Sequence, residues 1–147
     1  MNYELYMGAA LSEARAALAA GERPHGAVAV VEDAMVARGR DEILATGDPT
    51  AHAPMVVLRE AARRLGRPRL SGLTLFTVHE PCAMCVGALL EADADGLVFA
   101  LPDAKEGAAG SALQLAAADS LPRRLLVVSG IMQAQAMELA TSVSRRS

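Results

Sequence analysis

The sequence predicts an α/β protein, a three-layer α/β/α sandwich built around a five-stranded mixed sheet. Short apolar and β-branched runs alternate with segments of helical periodicity, a pattern typical of parallel strands joined by helical crossovers. The first two strand-like runs follow each other directly, so we expect an antiparallel hairpin first and parallel strands after it. At 147 residues the chain is predicted to form a single domain, residues 1–147, with a core of its own.

The first part of the chain is predicted to contain two helices with a hairpin between them. The first helix ends at "GERP", and its apolar stripe consists of Met7, Leu11, Ala14 and Leu18. The hairpin strands are "GAVAVVE" (26–32) and "AMVARGR" (34–40), with a tight turn at Asp33. A loop containing "TGDPT" leads into the second helix, whose apolar stripe consists of Val56, Val57, Ala61 and Leu65.

The second part is predicted to supply the parallel strands. The strands are "GLTLFTVH" (72–79), "GLVFAL" (96–101) and "RRLLVVSG" (123–130). A helix over 82–92 begins at the first cysteine, a weak helix follows the Gly/Ala-rich loop "DAKEGAAGSA", and the last helix spans 131–143. Parallel sheets bind ligands at the carboxyl ends of their strands, which is where His52 and "HEPCAMC" are expected to lie.

Composition excludes some functions. No apolar run reaches the roughly 18 residues of a membrane span, and Glu4 and Glu13 stand where a signal peptide would be basic or apolar, so we expect a cytoplasmic protein with no membrane partner. The net charge of −3 does not favour a nucleic-acid ligand. The basic residues that cluster locally are Arg59, Arg63, Arg64, Arg67 and Arg69. Such clusters are as typical of solvated helix faces as of phosphate contacts.

Three residues form a candidate metal site. Cys82 and Cys85 offer two thiolates on one turn at the start of a helix, and His52 offers an imidazole at the start of a neighbouring helix. Three protein ligands leave the fourth corner of a tetrahedron for water, which is the arrangement of catalytic zinc. The residues alone leave three alternatives open: a redox-active cysteine pair, a four-ligand structural zinc site completed by His25 or His79, and buried cysteines without a ligand.

The motifs "DPTAHA" and "HEPCAMCVGAL" resemble the zinc-dependent cytidine and deoxycytidylate deaminase superfamily, whose signature is H-x-E followed by P-C-x-x-C. With "GAVAVV" and "DAKEGAAGS" in the same order, the chain is most similar to the branch of bacterial tRNA adenosine deaminases and guanine deaminases. The resemblance implies a Zn²⁺ ion bound by His52, Cys82 and Cys85, and hydrolytic removal of an exocyclic amine. It also implies base contacts from His25, Asp41 and Ala51, and a homodimer.

The sequence departs from the signature at Pro54, where the family carries the glutamate that moves protons. A positioned general acid and base contributes about 10² to 10⁴-fold to a rate, and proline has no titratable group. Asp41 either accepts a proton in its place or is a solvated loop residue. His25 either packs on the base or titrates near neutral pH. Glu80 is expected to organise its loop.

Pro54 also bears on local geometry. A residue before proline is biased towards extended conformations, so Ala53 is predicted to be the helix N-cap and Pro54 the first helical residue. His52 then precedes the helix, and Asp48 and Thr50 are expected to hold its loop.

Two functions from different classes follow. The first is a deaminase, impaired unless Pro54 is compensated, that acts on adenine in tRNA, guanine, or a related purine or pyrimidine base or nucleoside. The second is a non-catalytic, zinc-containing binding or partner subunit. In that case the chain is expected to form a heteromer with an active deaminase. Eukaryotic tRNA adenosine deaminases resemble the second case, since their partner subunit has lost the same glutamate.

Overall fold

The computed structural model describes the backbone of residues 1–146 and the side chains of residues 1–143. The elements follow in the order α1 (Tyr3–Ala19), β1 (Gly26–Val31), β2 (Ala34–Arg40), α2 (Ile43–Thr46), α3 (Ala53–Leu65), β3 (Leu73–His79), α4 (Ala83–Glu91), β4 (Gly96–Leu101), β5 (Leu126–Ser129) and α5 (Gln133–Arg146). The strands form one five-stranded sheet in the order β2-β1-β3-β4-β5. Strand β1 pairs antiparallel with β2 and β3, whereas β3, β4 and β5 run parallel. The predicted mixed sheet is therefore confirmed.

The sheet is covered on both faces, which makes the three layers. Successive side chains of a strand point to opposite faces, so Val28 and Phe76 pack with α1 and α5 on one side. Ala29 and Leu75 pack with α3 and α4 on the other side. Helices α3 and α4 therefore lie on the same face, and their N-termini bring His52 and the cysteines together.

The predicted secondary structure was wrong in two segments. No helix forms between β4 and β5 in the described chain; this segment instead bonds back to the loop after β4, for example from the Leu115 N–H to the Ala108 carbonyl at 2.9 Å. Gly110 at φ 124° and Pro122 are poor helix residues, which explains the difference. The short helix α2 forms in a segment predicted as loop, because Glu22 accepts hydrogen bonds from the N–H groups of Leu44 and Ala45.

The start of helix α3 also differs by one residue from the prediction. His52, not Ala53, is the N-cap, with φ −70° and ψ 149°, and Pro54 is the second residue of the helix. Proline is tolerated there because first-turn N–H groups have no partner within the helix. His52 still precedes the helix, as predicted. Its loop is held by Asp48, whose Oδ1 accepts from the Thr50 N–H at 2.8 Å and from the Thr50 hydroxyl at 2.7 Å.

None of the helices within residues 1–146 has the length and apolar character that crossing a membrane requires.

Candidate metal centre

The metal ligands proposed from the sequence converge at the carboxyl end of the parallel strands. Strand β3 ends at His79, and Cys82 follows it as the N-cap of helix α4. Cys85 lies one turn further along α4 and is buried, while His52 reaches the same point from the start of α3. In the part of the chain that the structure describes, these three residues form the metal-ligand cluster, with ligand atoms within 4.8 Å of one another.

The distances between the three ligand atoms match a tetrahedral zinc site. His52 Nδ1 lies 3.6 Å from Cys82 Sγ and 3.7 Å from Cys85 Sγ, and the two sulfurs are 3.7 Å apart. Zinc bonds of about 2.3 Å to sulfur and about 2.05 Å to nitrogen place two sulfurs about 3.8 Å apart in a tetrahedron, and sulfur and nitrogen about 3.6 Å apart. The residues fit zinc with His52 bound through Nδ1.

The two thiols do not ionise alike. Cys82 Sγ and Cys85 Sγ lie 3.7 Å apart, and the hydrogen bond between them is the main reason why the pKa of Cys82 falls to about 5. The same contact with Cys82, reinforced by burial, raises the pKa of Cys85. Cys82 is therefore a thiolate at neutral pH, whereas Cys85 must release its proton when a metal binds.

The triad lines the wall of a small cavity. Residues of both helix N-termini, of the segment before β1 and of the loop after β4 line it: Arg23, His25, His52, Pro54, Thr77, His79, Glu80, Pro81, Cys82, Cys85, Asp103 and Glu106. Its volume is about 30 Å³, enough for water but far below the several hundred ångström cubed of a typical ligand pocket. Side chains at the mouth must therefore move before a nucleobase can enter.

His25 stacks on His79 inside this cavity. The two imidazole rings lie 4.1 Å apart at an angle of 15°. Burial, followed by the nearby charges of His79 and Arg23, lowers the pKa of His25 to about 2, and burial also lowers the pKa of His79. This lowered pKa does not favour the alternative that His25 titrates near neutral pH, and its packing on a base stays a prediction. Both rings are neutral at pH 7 and offer a flat surface for packing.

Asp41 and Ala51 lie outside the cavity lining. Asp41 is fully buried and hydrogen-bonds to Arg23 and to the Ala53 N–H, so the alternative of a solvated loop residue was wrong. Ala51 is buried beside α3 and lines a separate shallow groove with Glu42 and Arg59. Their assignment to substrate contacts stays a prediction.

The structure favours the three-ligand site over the alternatives for the two cysteines. His25 and His79 are not part of the ligand cluster formed by the described residues, so the structure gives no support to a four-ligand structural site. Both cysteines are free, and a neighbouring imidazole nitrogen faces both sulfurs, as zinc coordination requires.

Glu80 organises the loop after β4, as predicted. Its carboxylate accepts hydrogen bonds from the Ser111 hydroxyl and from the N–H groups of Asp103, Ala109 and Ser111. A Cβ at Gly107 would collide with the Glu80 carboxyl group, so the loop wraps closely around it. Burial alone would raise the pKa of Glu80, but these hydrogen bonds outweigh it and hold the pKa below 4.5.

We expect Glu80→Gln to lower the free energy of unfolding at pH 7 by about 1 to 3 kcal/mol, since a charged acceptor of several hydrogen bonds is lost. A carboxyl whose folded pKa is lowered stabilises the fold above its unfolded pKa, and this contribution is lost as pH falls through the folded value. The difference between the proteins should therefore shrink below pH 4.5. Urea unfolding of zinc-free protein at pH 7 and pH 3.5 measures it.

The control for this prediction is Glu106→Gln, which removes an exposed carboxylate from the same loop. It should change stability by less than about 0.5 kcal/mol. Equal stability of wild type and Glu80→Gln at pH 7 contradicts the prediction.

Sequence reasoning missed four residues of the cavity: Arg23, Thr77, Asp103 and Glu106. Asp103 and Glu106 fall in the "DAKEGAAGS" motif, which was noted only for its resemblance. Thr77 is a buried polar residue inside an apolar strand, a signal that was available. Arg23 carries no sequence signal, because its place depends on an ion pair with a residue 18 positions away.

Comparison with known proteins agrees with this geometry. The profile of the family described as "Cytidine and deoxycytidylate deaminase zinc-binding region" matches residues 1–101. A tRNA-specific adenosine deaminase of Bacillus subtilis (strain 168) is 38% identical over 130 residues, which cover 88% of this chain and 81% of that protein. A tRNA-specific adenosine deaminase of Haemophilus influenzae is 37% identical over 146 residues, covering 97% and 84%.

Solved structures show the same fold. A chain from a study of A-to-I editing by tRNA:A34 deaminases has a TM-score of 0.88 and 34% identity, covering 91% of this chain and 97% of that one. Guanine deaminase from Bacillus subtilis has a TM-score of 0.67 and 36% identity, covering 69% and 66%. The ligand triangle, the fold and these similarities agree: the chain belongs to the zinc-dependent cytidine and deoxycytidylate deaminase family.

Proposed function

We propose that this chain, as one deaminase domain, removes the exocyclic amine of a nucleobase by hydrolysis, at a rate limited by the missing carboxylate at Pro54. The observation that carries the proposal is the triangle of His52 Nδ1, Cys82 Sγ and Cys85 Sγ, which has the dimensions of a three-ligand zinc site. That site lies in the wall of a cavity rather than in the core. Three ligands beside a cavity are the arrangement of catalytic zinc.

The chain's own residues divide the remaining work. Bound zinc supplies a Lewis acid that lowers the pKa of water towards about 7. The neutral His25–His79 stack offers a flat face for a planar ring, and the buried walls exclude water from it. Pro54 shapes the cavity next to His52 but holds no proton.

Three other carboxylates line the cavity; two of them, Glu80 and Asp103, are engaged by hydrogen bonds, and the third, Glu106, is exposed at the edge. Glu80 is engaged by the loop after β4. Asp103 Oδ1 accepts from the N–H groups of Lys105 at 3.0 Å and Glu106 at 3.1 Å. Proton transfer to the ring and to the departing amine therefore rests on poorly placed groups or on water, which explains why we expect slow turnover.

We infer that the substrate amine belongs to adenosine in an RNA, with guanine as the second candidate. The relatives at 38% and 37% identity are named tRNA-specific adenosine deaminases, and a guanine deaminase shares the fold. The cluster of arginines supports tRNA binding only weakly, because Arg63 and Arg64 pair with Glu60 on the surface of α3. Contacts to tRNA must then come from residues nearer the cavity mouth.

Ammonia release tests the proposal. Zinc-loaded protein is incubated with a tRNA that carries adenosine at the wobble position, and with free adenosine, guanine and cytidine. We expect slow, zinc-dependent release from the tRNA, and no release after chelation. Release from guanine alone would reassign the substrate, and no release from any of the four would refute turnover.

A second candidate is a non-catalytic partner subunit, favoured by one observation: a buried proline without a titratable group lines the cavity two residues after His52. Helices α3 and α4 also present a shallow apolar groove lined by Met55, Ala62, Pro68 and Ala88, which supports an interface. We propose a homodimer for the deaminase and a heteromer with an active deaminase for the partner subunit. Mass determination in solution and in cell extract separates the two.

A further inference from the structure

The carboxylate of Asp41 connects the mouth of the cavity to the start of helix α3. Its Oδ2 accepts from Arg23 Nε at 2.6 Å, and its Oδ1 accepts from the Ala53 N–H at 2.7 Å. The Asp41 side chain is fully buried, whereas that of Arg23 is 41% exposed and lines the cavity. A buried carboxylate is costly unless it is paired and hydrogen-bonded, and both oxygens of Asp41 meet that condition.

The Ala53 N–H that Asp41 accepts lies next to the metal ligand. His52 is the N-cap of α3, the position whose side chain usually accepts hydrogen bonds from first-turn N–H groups. The His52 side chain makes no such bond, and its Nδ1 faces the two sulfurs instead. Asp41 therefore supplies the capping oxygen from another segment, and its negative charge at the helix N-terminus is favourable.

Besides the bond to Asp41, the start of α3 is held by backbone hydrogen bonds within its own segment. Pro54 has no N–H, so one of the usual capping donors is absent. The backbone of His52 is held by the hydrogen bond from its own N–H to the Thr50 carbonyl at 2.8 Å and by the bond from the Val56 N–H to its carbonyl at 3.0 Å. The bond between Asp41 and the neighbouring Ala53 N–H adds a contact from a different segment of the chain. Losing the bond between Asp41 and Ala53 leaves this helix end held by backbone hydrogen bonds within its own segment, so the position of His52 Nδ1 against the two sulfurs can shift.

We propose that Asp41, held in place by Arg23, is a positioning residue for the metal centre, because it fixes the helix end that carries His52. The proposal does not depend on whether the chain turns over a nucleobase. It also gives Asp41 a role other than proton transfer, since the carboxylate is buried behind the cavity wall with both oxygens engaged. Groups that orient metal ligands typically contribute 10 to 100-fold to metal affinity.

The test is the zinc affinity of Asp41 variants, measured by competition with a chromophoric chelator at pH 7.5. We expect Asp41→Ala to weaken zinc binding by about 10 to 100-fold and to alter the absorption spectrum of the cobalt-substituted protein. Asp41→Asn keeps an oxygen for the Ala53 N–H and should recover most of the lost affinity. Affinity within twofold of wild type for Asp41→Ala, or equal loss in both variants, overturns the proposal.

The matched control is Glu22→Ala. Glu22 is also a buried carboxylate at a helix N-terminus, where it accepts from the Leu44 N–H at 3.0 Å and the Ala45 N–H at 2.8 Å, but helix α2 carries no metal ligand. The Glu22→Ala variant should lower the melting temperature of the zinc-free protein and leave zinc affinity within twofold of wild type. A loss of zinc affinity in Glu22→Ala comparable to that in Asp41→Ala overturns the proposal, since it shows a general effect of destabilisation.

A further variant keeps the proposal testable if Asp41→Ala does not fold. Arg23→Ala removes the half-exposed partner and leaves Asp41 to move towards water. We expect zinc binding at least about threefold weaker than in wild type, less than the full loss for an orienting group. Unchanged zinc affinity and an unchanged cobalt spectrum in Arg23→Ala overturn the role of the Arg23 pair.

Discussion

Replacing Pro54 by glutamate is expected to raise the rate of ammonia release from a nucleobase substrate by about 10²-fold or more. Pro54 is buried in the cavity wall two residues after the metal ligand His52, so a carboxylate there reaches the reacting atoms. Glutamate in the first turn of α3 is also favourable for the helix, because negative charge is stabilised at a helix N-terminus. The folded structure should therefore tolerate the change, and zinc content should stay near one per chain.

Pro54→Gln is the matched control, because glutamine has nearly the size of glutamate and does not carry a proton at neutral pH. It should leave the rate within a few-fold of wild type. A rate for Pro54→Gln equal to that of Pro54→Glu would show that the proline limits the reaction by shape alone. No gain in Pro54→Glu with zinc bound would contradict the proposed deficit.

Replacing Cys82 by alanine is expected to weaken zinc binding by well over about 10²-fold, more than the loss of an outer group that only orients a ligand. Cys82 is the thiolate of the pair at neutral pH, with a pKa of about 5, so its charge is available to the metal without proton release. Metal analysis after dialysis against a weak chelator should find zinc in the wild type and almost none in Cys82→Ala.

Met84→Ala is the control on the same turn of α4, since Met84 is 36% exposed and supplies no ligand. It should keep its zinc. The pH dependence adds a second check: the raised pKa of Cys85 means that metal binding releases its proton, so zinc affinity should fall as pH is lowered. Zinc retained by Cys82→Ala would remove this residue from the metal centre.

Local patterns in the sequence predicted most of the fold. The strands β2 and β4 match the predicted ranges. For β4, an apolar run such as "GLVFAL" has few alternatives because it is buried on both faces. The metal ligands could also be predicted from the sequence, because Cys82 and Cys85 share one helical turn and His52 begins the neighbouring helix. The N-termini of α3 and α4, which lie on the same face of the sheet, bring these side chains together.

Contacts between distant segments could not be predicted from the sequence. The pairing of Asp41 with Arg23 and Ala53 joins residues 18 and 12 positions apart, and the stack of His25 on His79 joins the segment before β1 to the end of β3. The absent helix after Ser111 has the same cause, since backbone bonds to Ala108 outweigh a weak helical pattern there. Tertiary contacts decided each of these features, and a single sequence does not display them.

The small cavity has a consequence for substrate selection. With a volume of about 30 Å³, it holds water beside the metal ligands but no base. Arg23 and Glu106 are exposed at its edge, and Arg23 is paired with Asp41. Entry of the proposed nucleobase therefore requires a rearrangement of the mouth, which binding of the remainder of the proposed RNA substrate would drive.

X-ray absorption at the zinc edge of the wild-type protein tests the central claim most directly, namely that this chain holds zinc through three protein ligands and leaves the fourth position open. We expect one zinc per chain, with two sulfur neighbours from Cys82 and Cys85, one imidazole nitrogen from His52, and one further light atom that is replaced by an added small ligand. A second imidazole in the coordination shell, a fourth neighbour that no added ligand displaces, or a protein without zinc would contradict it.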